Sequence, residues 1–140
     1  MPYTLKHKEN DGGVITTYSG RVTEKEFYQC LKEKFLLGGK SMSHGKISVP
    51  LYYICYFADA TDFDVSIEAV KFSATIHKAL MEVNQTVFEA VVAPNNYEFG
   101  MARLWQASLG SQSARAKVFR TRDTANNWIV QTLALPEMSI

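Results

Sequence analysis

Residues 59–66 read DATDFDVS and follow a long apolar run, PLYYICYFA. Three carboxylates and a hydroxyl at the end of such a run have the donor atoms for a hard cation, which needs several oxygen ligands. Asp59, Asp62 and Asp64, with Asp123 from further along the chain, are the candidates. Their spacing is not that of a calcium-binding loop, because neither the turn glycine nor the bidentate glutamate is in place. The competing role is structural. Asp and Ser at a helix start accept hydrogen bonds from free backbone N–H groups, and negative charge suits that end of the helix dipole. Capping is the expected role of Ser66, and no metal site is expected.

Other chemistry is thinly represented. Gly39-Lys40-Ser41 resembles the tail of a phosphate-binding loop, but the earlier glycine is replaced by Lys34. The required strand-then-helix order is also reversed. His7, His44 and His77 fall in an early hairpin, a loose loop and a helix, so they do not converge. His77 reads as a histidine tucked at the edge of the core rather than as a base. No nucleophile elbow of the G-x-S-x-G kind is present. No catalytic residue and no cofactor is therefore expected, and the chain reads as a non-enzyme.

Size and composition narrow the class. At 140 residues the chain fits one domain, 1–140, with length enough for a real core. A formal net charge of +1 supplies no field for nucleic acid or an acidic membrane surface. No apolar run is long enough to insert in a membrane. The opening MPYTLKHKEND lacks the apolar core of a signal peptide. Cys30 and Cys55 are widely spaced and read as buried thiols, which points to a reducing compartment, the cytoplasm.

The elements that must position these residues alternate. Strand-like runs flank Asp11-Gly12-Gly13, the signature of a hairpin. Thr23 and Glu26 form a capping box, and Phe27, Leu31 and Phe35 follow at helical spacing up to Gly38. A strand over 49–58 is apolar in both alternating sets, as expected of a central strand buried on both faces. A helix over 65–83, a strand over 86–93, a helix from Asn96 to about Ser108, an edge strand over 114–120 and a last helix carrying Trp128, Ile129 and Leu133 complete the order. The pattern is β-hairpin followed by (αβ)3α, with a mixed, mostly parallel sheet of about five strands and right-handed crossovers. In such sheets ligands bind outside the carboxyl ends of the strands. That rule gathers the junctions at 22–24, 59–66, 94–97 and 120–124 at one rim.

The same order, with YYICYFADATDFDVSIEAVKF at its centre, resembles STAS domains and more closely the stand-alone bacterial SpoIIAA-like proteins. AVVAP (90–94), FGMARLWQ (99–106) and VFRTRDTANNWI (118–129) carry the likeness further, over most of the chain from Val14. The resemblance implies a βα superhelix and a regulatory or binding role, not catalysis. In anti-sigma-factor antagonists of this family an Asp-Ser-Ser-Gly motif carries a phosphorylated serine. Here Asp64-Val65-Ser66-Ile67 puts a valine in the phosphoacceptor position, so no phosphorylation switch is expected.

These readings converge on a module that meets a protein partner through the rim. The candidate binding residues are Asp59, Thr61, Asp62, Asp64, Ser66, Asn95, Asn96, Tyr97 and Arg103. The alternative is a carrier or sensor of a small apolar ligand held beside the sheet, which related folds that carry lipids suggest. A homodimer is expected through the sheet face opposite the crossover helices, where Tyr52, Ile54 and Tyr56 or Leu51, Tyr53, Cys55 and Phe57 would stand. Val87, Glu89 and Val91, with Arg115, Lys117 and Phe119, are expected to share that outer face. Gly100, inside a helical pattern, is expected to mark a close approach of that helix to a neighbour.

Overall fold

The structure, a computed structural model, describes residues 2–8, 12–39, 42–43, 46–47 and 51–135, with side chains for 2–8, 12–35 and 51–135. His44, Lys40, Ser41 and Asp11 of the sequence reading lie outside the described residues.

Strands β1 (Tyr3–Lys8) and β2 (Gly13–Thr23) form the hairpin, and helix α1 (Glu24–Gly39) follows. A two-stranded antiparallel piece, β3 (Met42–Ser43) with β4 (Lys46–Ile47), stands apart from the main sheet. Then come β5 (Tyr52–Asp64), α2 (Ile67–Val83), β6 (Phe88–Val92), α3 (Asn96–Ala107), a 3-10 turn (Gly110–Arg115), β7 (Ala116–Phe119) and α4 (Arg122–Leu133). The sheet order is β1-β2-β5-β6-β7, antiparallel only at β1-β2. The architecture is the βα superhelix that the alternation predicts. No helix among the described residues is long and apolar enough to cross a membrane.

The local causes are visible at the helix starts. Glu26 Oε1 accepts from the Thr23 amide at 3.0 Å, and the Glu26 amide donates back to Thr23 Oγ1 at 3.4 Å, closing the capping box. Ser66 Oγ accepts from the Ala69 amide at 3.1 Å, as expected of an N-cap. Asn95 and Thr121 cap α3 and α4 in the same way. Gly13 meets a close approach: a Cβ there would lie 2.0 Å from the buried Tyr52 ring, so only glycine fits without repacking.

Three right-handed crossovers in succession put α1, α2 and α3 on one face of the sheet. Tyr18, Cys55, Phe57 and Val91 pack there against Phe27, Cys30, Val70 and Trp105. The opposite face is not open. Helix α4 lies on it and buries Tyr52, Ile54, Tyr56, Ala90 and Val92 beneath Ala125, Ile129 and Trp128. Tyr56 is only 1% exposed, and its hydroxyl donates to Asn126 Oδ1 at 2.9 Å. The expectation of an exposed tyrosine face is thus overturned by a helix of the same chain. Glu89 and Val91 also change sides: paired in register with Tyr53 and Cys55, they lie under α1–α3. Arg115 does not sit on an edge strand. It belongs to the 3-10 turn and donates to the Met81 and Asn84 carbonyls at the end of α2. Gly100 is exposed, and a Cβ there would meet nothing within 4 Å, so no close approach explains it.

Candidate functional site

The opening aspartates fall within a strand. β5 runs on to Asp64, six residues past the expected end, because it stays paired with β2 as far as Thr23. Two register shifts, between Thr17 and Ser19 and between Gly20 and Arg21, give β5 extra residues. These bulges turn Phe57, Ala60 and Phe63 inward at a spacing of three, which sequence periodicity reads as helix. β6 pairs with β5 only up to Tyr56. The expected single rim therefore divides into an extended β2-β5 ribbon and a separate β6-β7 end.

On the ribbon Asp59, Thr61, Asp62 and Asp64 are exposed. Arg21 bridges Asp64 at 2.9 Å and Asp62 at 3.5 Å, in a solvated pair that screening leaves weak. Glu24 Oε1 accepts from the Ser66 amide at 2.9 Å, so both polar ends of Ser66 serve the start of α2. At the β6-β7 end Asn95 caps α3, and Asn96 Oδ1 and the Pro94 carbonyl accept from Arg120. Tyr97 stands 58% exposed, and Arg103 is exposed on α3. Among the described residues no group of three or more His, Cys, Asp or Glu is placed to hold a metal ion.

The chemistry lies elsewhere, between the sheet and α1–α3. Lys34 of α1, His77 of α2 and Glu89 of β6 meet in the interior, each 5% exposed or less. Lys34 Nζ donates to Glu89 Oε1 at 2.8 Å and lies 2.9 Å from His77 Nε2. His77 Nδ1 lies 2.7 Å from the Ser73 carbonyl, one helical turn back. That carbonyl can only accept, so Nδ1 carries a proton, while Nε2 also lies 3.3 Å from Glu89 Oε1. The imidazole is further held edge-on by Trp105, with ring centres 5.2 Å apart. Burial works against the Glu89 carboxylate, but His77 and Lys34 outweigh it and bring its pKa down to about 2. Burial likewise works against the Lys34 ammonium, and the Glu89 carboxylate reverses the balance, so the Lys34 pKa rises.

This cluster forms part of the wall of a cavity of about 60 Å³, more than the roughly 10–15 Å³ that a single water needs and well under the roughly 150 Å³ that takes up benzene. Phe27, Phe57, Phe63 and Trp105 make much of the remaining wall, with Tyr18, Cys30 and Cys55. Tyr18 stacks on Phe57 at 4.8 Å, and Phe63 stands edge-on to both Phe57 and Phe27. Cys30 and Cys55 are free, and burial pushes both thiols up in pKa, so neither is an activated nucleophile. Two lining side chains carry buried polar atoms without a hydrogen-bond partner, Thr16 Oγ1 and Glu98 Oε2. Glu98 is 3% exposed, and burial raises its pKa against the pull of Asn95. Buried polar atoms are nearly always paired in folded proteins, so two orphans on one cavity wall mark a place where a partner belongs.

None of the residues of this cluster was among the rim candidates. A signal was present in the sequence all the same. Lys34 continues the buried stripe of Phe27, Cys30 and Leu31, His77 continues that of Val70, Ser73 and Ala74, and Glu89 interrupts an apolar strand. Three ionisable residues on three buried stripes require one another, because a charge is seldom buried alone.

No protein-family model matches this chain, and no curated protein matches it.

Proposed function

We propose that the protein is a binding module of STAS/SpoIIAA-like architecture that holds a small, mainly apolar molecule between its sheet and α1–α3, as a carrier or sensor and without turning it over. The observation that carries this reading is the aromatic cavity with its two unpartnered polar atoms. Ligand sites commonly combine an apolar wall with a few placed polar groups. The buried thiols favour a reducing setting such as the cytoplasm. A protein partner at the rim is the second reading. Exposed Tyr97 and the acidic ribbon of Asp59, Thr61, Asp62 and Asp64 support it. Self-association through the tyrosine face is not part of the proposal, since α4 occupies that face.

The test is gentle mass spectrometry of protein purified from its own cells. A single small-molecule adduct is expected, lost on organic extraction. Ala102 lines the cavity, so Ala102→Leu, or Ala102→Trp if it still melts cooperatively, should fill the space and abolish the adduct. A wild-type protein that carries no adduct, and whose melting temperature no small apolar compound raises, would overturn the reading.

A further inference from the structure

The polar groups of the cavity wall discriminate between kinds of ligand. Lys34 and Glu89 neutralise each other at 2.8 Å, and His77 Nε2 stands 2.9 Å from Lys34 and 3.3 Å from Glu89 in the same cluster. Glu98 is then the lining carboxyl outside that cluster, since Lys34 and His77 both engage Glu89. Its Oε2 is buried and has no donor, and Thr16 Oγ1 on β2 is buried and equally unpartnered. Resting on the reading that the cavity holds a small apolar molecule, we infer that this molecule carries a protonated amine, bound by Glu98.

Three chemical comparisons select that group. A carboxylic acid would bring a second negative charge to a carboxyl that already lacks a partner. A hydrocarbon would leave Glu98 Oε2 and Thr16 Oγ1 as they are, both buried and unpaired. An alcohol would donate one hydrogen bond and leave the charge uncompensated. An ammonium group supplies both the N–H donors and the positive charge that a buried carboxylate takes up. The rest of the wall agrees, because Trp105, Phe27, Phe57 and Phe63 offer rings to an organic cation and an apolar body alike. The cavity size limits that body to a few carbon atoms, since 60 Å³ is well under the roughly 150 Å³ that takes up benzene.

Three probes of one shape test this: n-propylamine, n-butane and butyrate, each titrated into the whole protein by calorimetry and ligand-observed magnetic resonance. The amine is expected to bind about tenfold or more tightly than the hydrocarbon, the scale of a charged hydrogen bond. The acid is expected to bind weakest. In Glu98→Gln the amine should lose most of that advantage while n-butane binds as before, which also reports that the variant is folded. The wild-type ranking decides the matter even if that variant fails to fold. Equal or tighter binding of the hydrocarbon would overturn the amine and leave the apolar cavity standing. Preference for the acid would overturn the amine and transfer the polar contact to Lys34. If none of the three binds at millimolar concentration, the amine and the proposed function fall together.

Discussion

The two faces of the central strand are built on opposite principles. On the α4 side Tyr52, Ile54 and Tyr56 meet Ala125 and Ile129 in a layer whose buried residues are almost all apolar. On the α1–α3 side, neighbours one residue along face a cavity that contains a buried ion pair, a histidine and two orphan polar atoms. Both faces are equally hidden from solvent, so burial alone does not tell them apart. Polar groups inside a fold cost stability unless fully paired, and only one face bears that cost. The α4 side is therefore the stabilising face, and the α1–α3 side has given up part of its core to a cavity with polar groups in its wall.

The largest expected effect breaks this comparison at the ion pair. Lys34→Met leaves Glu89 buried without its cation, which should cost about 3–5 kcal/mol. The double change Lys34→Met, Glu89→Leu should recover most of it, since a buried pair replaced by apolar side chains is often near neutral. Ile129→Ala on the other face should cost about 2–5 kcal/mol by leaving a cavity, with no second-site rescue of that kind. Urea denaturation of the four proteins measures all of this. A double variant no more stable than Lys34→Met would show that the side chains matter for shape rather than charge.

The same pair gives the two faces different responses to pH. Glu89 has its carboxyl lowered from 4.5 to about 2, so its contribution is fully present above 4.5 and is lost as pH falls towards 2. Lys34 is raised, so its contribution is present below its ordinary value of 10.5 and lost only in more alkaline solution. Wild type and Ile129→Ala should therefore lose stability in parallel between pH 4.5 and 2. The double variant should lose less. Parallel curves for all three, followed by urea midpoints at several pH values, would place the acid sensitivity outside the pair.

The contrast between faces also explains what could be read from the sequence. Element order follows from hydrophobic period and helix caps, and the Thr23–Glu26 box and the Ser66 cap are where local residues put them. The end of β5 was hidden because two bulges replace the period of two by a spacing of three. The role of α4 was hidden because an apolar strand set shows that a face is covered, not what covers it. The site was hidden for a third reason. Lys34, His77 and Glu89 are 43 and 12 residues apart along the chain, and only the stacking of α1, α2 and β6 brings them together. Conspicuous polar residues such as Asp59 and Asp62 drew the eye to the rim, although solvated carboxylates are ordinary on a surface.

A smaller effect concerns how the α1–α3 face is held. Ser66 starts the helix that delivers Ser73 and His77 to the cavity. Ser66→Ala should cost about 0.5–2 kcal/mol through the lost cap. Because its hydroxyl accepts from Ala69 and its amide donates to Glu24, Ser66 should remain unmodified in the cell. Stoichiometric phosphoserine at this position in protein from its own cells would reverse that conclusion and make α2 a regulated element.

The smallest effect is expected to be favourable, and it separates the inner side of α3 from its outer side. Inward, α3 brings Glu98, Met101, Ala102 and Trp105 to the cavity. Outward it carries Gly100, whose missing Cβ would meet nothing within 4 Å. Glycine in a helix interior is less stable than alanine by roughly 0.5–1 kcal/mol, because the unfolded chain has more freedom to lose. With no steric objection and no left-handed backbone angle at this position, Gly100→Ala should raise stability by about that amount. It should leave the probe ranking in the cavity unchanged, since the added methyl group points away from it. A melting temperature that rises while amine binding stays constant would show that α3 can be stiffened without touching the site. A fall in stability would mean that the outer side of α3 is covered by something, and the exposed Tyr97 three residues earlier would be the first place to look for it.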